Sequence, residues 1–256
     1  MYSMSHHPSI VLAKDIVEDI RQVSAEAERL GDLHPLQLKH IYEQGWFKMF
    51  IPQSYGGLGW SLPRALEAEE ALSWADASTA WVVTLCAGAG WFTGFLSPSL
   101  VRELVGHEHV CFAGSGAATG IADERSDGFH IDGHWKYASG SLHATVFTAN
   151  CVLHSHGQPR YNDDGTPIVR PFVFHRNEIS LYRHWNGMGM IATGSHSFAV
   201  KNLIVHPERC FSIEPEHAIV DAPVFRYPFL QLAETTLSVN LSGMAMRFLE
   251  LCDRQL

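Results

Sequence analysis

The sequence has no CxxC pair, no HExxH run, no excess of basic residues and no apolar stretch near the roughly 20 residues a membrane span needs. Each absence excludes something. Five cysteines (Cys86, Cys111, Cys151, Cys210, Cys252) are scattered and odd in number, which reads as isolated core thiols in a reducing compartment and implies a cytoplasmic protein. The formal net charge of -9 argues against nucleic acid as a partner. No membrane association is expected, and the opening MYSMSHHPSIVLAKDI lacks the basic and apolar regions of a signal peptide. There are sixteen histidines, with close pairs at His6-His7, His107-x-His109 and His154-x-His156. The last pair would share a strand face, but Gly157, Gln158 and Pro159 follow at once, so these read as solvated loop histidines and no metal site is expected.

What is present is an ordinary globular composition, 46% hydrophobic and 18% charged, with two kinds of patterning in sequence. The first half is helical. Ile16, Ile20, Val23, Ala27 and Leu30 form one stripe of an amphipathic helix that Gly31 stops. Pro35 opens a second helix to about Gln44, and Gly45 ends it. Pro52-Gln53-Ser54-Tyr55-Gly56-Gly57-Leu58-Gly59 must be a turn, because three glycines in four residues near a proline cannot be helix interior. Ser61 reads as the N-cap of a helix to about Trp74, and Asp76 or Ser78 as the cap of another. Residues 80–96 are apolar nearly all round, so that helix is expected to be buried. Trp81, Trp91, Phe92 and Phe95 on it read as core, with the wall of an aromatic-substrate pocket as the alternative. A short helix over 98–104 closes this half.

Near residue 109 the period changes. Strands are expected at 110–113, 128–132, 135–139, 145–153, 168–175 and 197–205, with hairpin signals at Ser126-Asp127-Gly128 and Asp132-Gly133-His134. These suggest a small antiparallel sandwich or barrel. The fold class is therefore α+β: an all-α N-terminal domain over 1–108, a small antiparallel β domain over 109–215, and a linker with a terminal helix over 216–256. That last helix carries Leu230, Leu237, Leu241, Met244 and Phe248 near one face and must lie on the earlier domains or on another chain.

Two β segments look chemical. Ala113-Gly114-Ser115-Gly116-Ala117-Ala118-Thr119-Gly120 opens like a dinucleotide fingerprint, but the polar run after it leads to a hairpin and not to the helix that a pyrophosphate would need. What survives is a strand end with open backbone N–H groups and the Ser115 hydroxyl, able to receive a ring edge or a phosphate. In Gly133-His134-Trp135-Lys136-Tyr137-Ala138-Ser139-Gly140, strand alternation would put Trp135, Tyr137 and Ser139 on one face, where an aromatic ring and a hydroxyl can hold a planar ligand. The later run Trp185-Asn186-Gly187-Met188-Gly189-Met190-Ile191-Ala192-Thr193-Gly194-Ser195 reads as a loop before a strand.

Together these segments resemble the acyl-CoA dehydrogenase superfamily, and within it the two-component flavin-dependent monooxygenases. PQSYGGLG is similar to P-x-x-Y-G-G-x-G; AGSGAATG and GHWKYASG are similar to A-G-S-x-x-P-T-G and G-x-W-x-F-x-S-G; WNGMGMIATGS is similar to W-x-x-x-G-M-R-G-T-G-S; and Val205-His206-Pro207-Glu208-Arg209 is similar to V-P-x-x-R. The match covers roughly residues 36–213. The resemblance implies a flavin, FAD with FMN as the alternative, lying against the β domain. Phe112, Ala113, Ser115, Tyr137 and Ser139 would face it, with Ser115 and Ser139 as polar contacts. It implies an oxidoreductase acting on a small organic molecule or acyl thioester, a flavin reductase as partner for the monooxygenase branch, and a homo-oligomer or partner subunit. This sequence departs from the pattern at Ala118, Ile191 and Ala192, where the family has Pro, Arg and Gly. The family's C-terminal bundle, which supplies the catalytic base, is expected to be missing beyond its first helix, so no catalytic residue is assigned. A truncated, non-catalytic relative or a fragment, binding flavin weakly or pairing with a full-length subunit, is the alternative.

Overall fold

The computed structural model describes residues 7–253. His6 of the His6-His7 pair and the final residues of the C-terminal segment lie outside the described residues. Helix α1 (Lys14–Leu30) buries Val17, Ile20, Val23 and Ala27 and ends at Gly31, whose φ of 69° lets its N–H close on Ala27 and Glu28 carbonyls. Leu30, at the last helical position, is 58% exposed, off the buried stripe. His34 caps α2 (Pro35–Gln44) in a reciprocal capping box with Gln37. Ser61 precedes α3 (Leu62–Ala75) without making a side-chain cap bond. Asp76 caps α4 (Ala77–Gly90) by accepting from the Thr79 N–H at 2.8 Å.

The expected buried helix over 80–96 is interrupted. It becomes a 3-10 turn at Trp91–Gly94, and the Phe225 ring packs so closely on Gly94 that a Cβ there would stand 2.3 Å from it. Helix α5 (Pro98–Val105) follows, capped by Ser97.

The strands are β1 (Phe112–Arg125), β2 (Gly128–Ala138), β3 (Val146–Ser155), β4 (Gln158–Pro159), β5 (Val169–His175), β6 (Ser180–Tyr182) and β7 (His196–Val205). They form one sheet in the order β4-β3-β1-β2-β7-β6, with β5 also paired to β3. The sheet is mixed, since β1 and β3 run parallel while the other pairs are antiparallel. Residues 139–145 carry the chain from the end of β2 past β1 to the start of β3, a step of two strand spacings or about 10 Å. Trp135 is the centre of the β core. Its indole lies over Gly120 and Gly133, where a Cβ would come within 2.2 and 2.3 Å of the ring, and its Nε1 donates to the Asn150 carbonyl.

Helix α6 (Phe229–Asp253) returns to lie on α3 and α4. Its inward side is Leu232, Thr236, Asn240 and Gly243. Gly243 sits so close to α3 that a Cβ would stand 2.3 Å from the Glu70 carbonyl oxygen. The outward side leaves Leu230, Leu241, Phe248 and Leu249 exposed. Among the described residues no helix is long and apolar enough to cross a membrane.

Candidate functional site

The helices and the sheet meet at a cleft of about 170 Å³. One wall is α4, which presents Thr84, Leu85, Gly88, Ala89 and, just beyond it, Phe92; the i, i+4, i+8 spacing puts them on one side. The start of α6 supplies Phe229, Leu232, Ala233, Thr236 and Leu237. The Phe92 and Phe229 rings lie 5.3 Å apart at 41°. Of the aromatic residues expected on this helix, Phe92 thus borders the cleft, whereas Trp91 and Phe95 are buried in the core. The facing wall is the sheet: Gly114, Ser115 and Gly116 from β1, Ser139, and Thr148, Ala149 and Asn150 from β3.

The glycine-rich stretch on that wall is strand, not the strand end that its sequence suggested. Strand β1 runs through it, but its register with β3 shifts between Ser115 and Gly120, and pairing with β2 begins only at Ile121. The bulge leaves Gly116 to Thr119 out of the ladder, and of these Gly116 lines the cleft. Side chains fill part of the gap: Asn150 Nδ2 donates to the Gly116 carbonyl at 2.8 Å, and Thr119 Oγ1 donates to the His134 carbonyl at 2.8 Å. Nothing stands within 4 Å of a Cβ built on Gly116, so the wall leaves open space at that position.

Ser139 stands at the end of the cleft. It is buried, accepts from Trp81 Nε1 at 3.2 Å and shares a hydrogen bond of 2.8 Å with Ser195. Ser195 in turn bonds Thr193 at 2.7 Å, and Thr193 donates to the Met190 carbonyl. The loop carrying them is tied to α1. The Glu28 carboxylate accepts from the N–H groups of Ile191 and Ala192 at 2.7 and 3.3 Å, and from Ser78 Oγ. Past Ser195 lies a second recess, lined by Lys136, Tyr137, His184, Trp185, Asn186, Ser195 and Ser197.

The five residues named from sequence are therefore not on one surface. Ser115 and Ser139 line the cleft. Phe112 and Ala113 are buried, at 0% and 1% exposure, and line neither recess. Tyr137 lines the second recess, 67% exposed, with its ring edge-on to Trp185 at 6.2 Å. The expectation that Trp135, Tyr137 and Ser139 share a strand face is corrected: Trp135 is fully buried while Tyr137 is exposed. The cause is a register shift between Trp135 and Ala138, where Tyr137 takes a left-handed conformation with φ of 64° and breaks the alternation. Sequence reasoning did not single out Thr84, Ser195, Asn150 or Glu28, and it named Trp81 only as core or pocket wall, not as a partner of Ser139. Only Ser195 had a signal, its place in the glycine-rich run before β7; the others are set by tertiary contact.

Residues 12–94 match the family described as acyl-CoA dehydrogenase, N-terminal domain. The chain is 30% identical over 207 residues to an indole-3-acetate monooxygenase of Pseudomonas putida, covering 80% of this chain and 51% of the relative. It is 27% identical over 248 residues to the flavin-dependent monooxygenase, oxygenase subunit HsaA, of Mycobacterium tuberculosis, covering 93% of this chain and 61% of the relative. A crystal structure of the HsaA monooxygenase superposes with a TM-score of 0.83 at 23% identity, over 93% of this chain and 65% of that one. XiaF from Streptomyces, solved in complex with FADH2 and glycerol, superposes with a TM-score of 0.77 at 22% identity, over 91% of this chain and 61% of that one. The chain thus spans between half and two thirds of the length of these relatives.

Proposed function

We propose that this chain, which belongs to the acyl-CoA dehydrogenase superfamily, forms the helical and β portions of a flavin-dependent oxygenase component. The flavin is FAD, with FMN as the alternative, and a separate flavin reductase supplies it in reduced form. When bound, the reduced flavin supplies the electrons with which oxygen is activated. One observation carries the reading: Ser139, which lines a ring-sized apolar cleft, hydrogen-bonds Ser195, which lines a recess bordered by Tyr137 and Trp185, so a planar cofactor and a small organic substrate can lie on the two sides of one hydroxyl pair.

The residues present fit such a cofactor. The Gly114–Gly116 wall leaves open space at Gly116, the bulge offers backbone groups free of the ladder, and Tyr137 and Trp185 offer aromatic surface. The cleft is of the size that holds a single aromatic ring, since cavities near 150 Å³ take up benzene. Phe92, Phe229 and Leu237 would exclude water from it, and Thr84, Thr236, Thr148 and Asn150 are polar points besides Ser115 and Ser139. Ser115 remains the second proposed polar contact to the flavin, and Phe112 and Ala113 would support the strand that carries it. The exposed apolar side of α6 supports coverage by further protein, as a homo-oligomer or a partner subunit.

The test is direct. The purified chain is titrated with oxidised FAD and FMN, and anaerobically with the reduced forms, while its mass in solution is measured. Binding of neither flavin at high concentration would sink the proposal. If flavin binds, oxygen uptake with NADH should require an added flavin reductase. Bleaching of bound flavin by an acyl-CoA under anaerobic conditions would place the chain on the dehydrogenase side instead.

A further inference from the structure

Two buried polar side chains, Glu69 and Thr148, have no hydrogen-bond partner among the described residues. Glu69, on α3, has no exposed surface, and both its oxygens are sealed off. Burial pushes its pKa up to about 8, so it is an acid kept protonated at neutral pH, but it does not line the cleft. Thr148, on β3, does. It is 5% exposed, and its hydroxyl, unlike the Glu69 oxygens, keeps accessible surface. Glycine at position 114 makes room for it, since a Cβ there would stand 2.3 Å from the Thr148 hydroxyl oxygen.

The other polar side chains of the cleft are engaged. Ser139 holds Trp81 and Ser195, and Thr84 accepts from Asn240 Nδ2 at 2.7 Å. Thr236 donates to the Ala233 carbonyl at 2.9 Å, Asn150 donates to the Gly116 carbonyl, and Ser115 accepts the Ala117 N–H at 3.5 Å. A buried hydroxyl without a partner is costly until one reaches it, and the cleft is where a partner can come from.

The α4 wall has an open place of its own. Gly88 lies four residues after Thr84, on the same side of the helix. Glycine within a helix is less favourable than alanine, and no neighbour requires it here: nothing stands within 4 Å of a Cβ built on Gly88. Gly90 and Gly94 differ, since Ile51 and Phe225 pack on them. The space beside Gly88 belongs to the cleft. No charged side chain lines the cleft, so a charged ligand group would enter it without a counter-ion.

We propose that Thr148 and Gly88 set the specificity of the cleft: it takes an uncharged, flat, single-ring organic compound whose polar substituent bonds the Thr148 hydroxyl while the ring fills the space beside Gly88. An apolar ring of the same size would leave the Thr148 hydroxyl unpaired. Chemical discrimination thus comes from Thr148 and the limit on size from Gly88. This deepens the proposed function, in that it takes the cleft as a ligand site, and it does not depend on the flavin.

Phenol and toluene, nearly equal in size, test it by calorimetry on the whole chain. In Thr148→Val, where a methyl group replaces the hydroxyl, the ratio of phenol affinity to toluene affinity should fall about five-fold. Should Thr148→Val not fold, Thr148→Ala removes the hydroxyl without adding a methyl group against Gly114. Gly88→Ala should weaken both rings by a similar factor and raise the urea midpoint, because the methyl group costs the ligand space and favours the helix. A wild type that binds neither ring, or an affinity ratio that loss of the hydroxyl leaves unchanged, would overturn the proposal. So would a Gly88→Ala variant that binds both rings as the wild type does, or that unfolds at lower urea. Flavin affinity is read separately: loss of flavin binding with the Thr148-dependent ratio intact would remove the oxygenase reading and leave this one standing, and the reverse result would remove this one alone.

Discussion

The hydroxyls of Ser139 and Ser195 share a hydrogen bond of 2.8 Å, and counting hydrogens gives it a direction. Thr193 donates to the Met190 carbonyl, so the bond between Thr193 and Ser195 uses the hydrogen of Ser195. The bond between Ser195 and Ser139 must then use the hydrogen of Ser139. With Trp81 donating to it, Ser139 has one lone pair left, and toward the cleft it is an acceptor. An acceptor favours a ligand N–H over a bare ring nitrogen. Ser139→Ala is therefore expected to weaken binding of reduced flavin by about 1 kcal/mol, and that of oxidised flavin by less. Anaerobic titration of both forms measures the difference, and equal or absent losses would count against the assignment.

Glu28 holds the loop that carries this chain of hydroxyls. Its carboxylate accepts from the Ile191 and Ala192 N–H groups and from Ser78. In Glu28→Ala these donors lose a charged acceptor, at a cost of about 2 kcal/mol in urea denaturation. Exchange of the Ile191 and Ala192 amides should speed up more than that of β3, and flavin affinity should fall although Glu28 lines neither recess. A variant that loses stability and keeps full flavin affinity would show that the loop does not position Ser195.

His196 makes the same region sensitive to acid. Its Nδ1 accepts the Trp185 N–H at 3.0 Å, which requires the neutral ring. Burial, then Arg183 and His184, hold its pKa below the ordinary 6.5, against a smaller upward pull from Asp32. A depressed histidine pKa means that the unfolded chain binds the proton more readily. The stability from the neutral ring is present above pH 6.5 and is lost as pH falls below that value through the folded pKa. Histidine signals followed by NMR should show His196 titrating below 6.5, with the Trp185 amide opening as it does. Titration above 6.5 would contradict the geometry.

The sequence made the helices legible because their signals are local. Pro35, Asp76, Gly31 and Gly45 sit where caps and stops act within one turn. The strands were legible as segments but not as a sheet, since nothing in 112–125 announces that β1 and β3 run parallel or that the ladder opens after Ser115. Strand alternation failed at Tyr137 for the same reason: a bulge is decided by what packs beneath it, here Trp135 over Gly120 and Gly133. Ser115 and Ser139, which line the cleft, were singled out by their motifs, not by strand alternation, which fails beside Ser139. Thr84 and Glu69 were not, because a polar residue in an apolar or charged helical run looks like surface until a third helix covers it.

Gly243 is where that third helix is most exposed to test. A Cβ there would meet the Glu70 carbonyl oxygen at 2.3 Å, Ser73 Cβ at 2.8 Å and the Trp74 nitrogen at 2.8 Å. Backbone cannot yield as a side-chain tip can, so Gly243→Ala should push α6 away from α3 at a cost of about 2–3 kcal/mol. The displacement would also break the bond from Ser73 to Asn240 and the bond of Trp74 Nε1 to Glu250 at 2.7 Å. Limited proteolysis should cut the variant first within α6. An unchanged urea midpoint would mean that α6 is not seated as described.

Glu69 should leave a mark on stability that has the opposite sign to most carboxylates. Its folded pKa of about 8 lies above the ordinary 4.5, so between those values the folded chain holds a proton that the unfolded chain has released. Stability is then fully present below pH 4.5 and falls as pH rises toward 8. The slope from this one group is at most about 1.4 kcal/mol per pH unit. Glu69→Leu removes the titrating group and keeps an apolar side chain of similar volume in an apolar-sided site. Urea denaturation from pH 5 to about pH 8 should show the wild type losing stability, and the leucine variant losing less over the same interval. Because His196 adds stability as pH rises, the comparison is between the two slopes and not their signs. Parallel pH profiles for the two proteins would mean that Glu69 is ionised in the folded chain, and the buried-acid description would have to be abandoned.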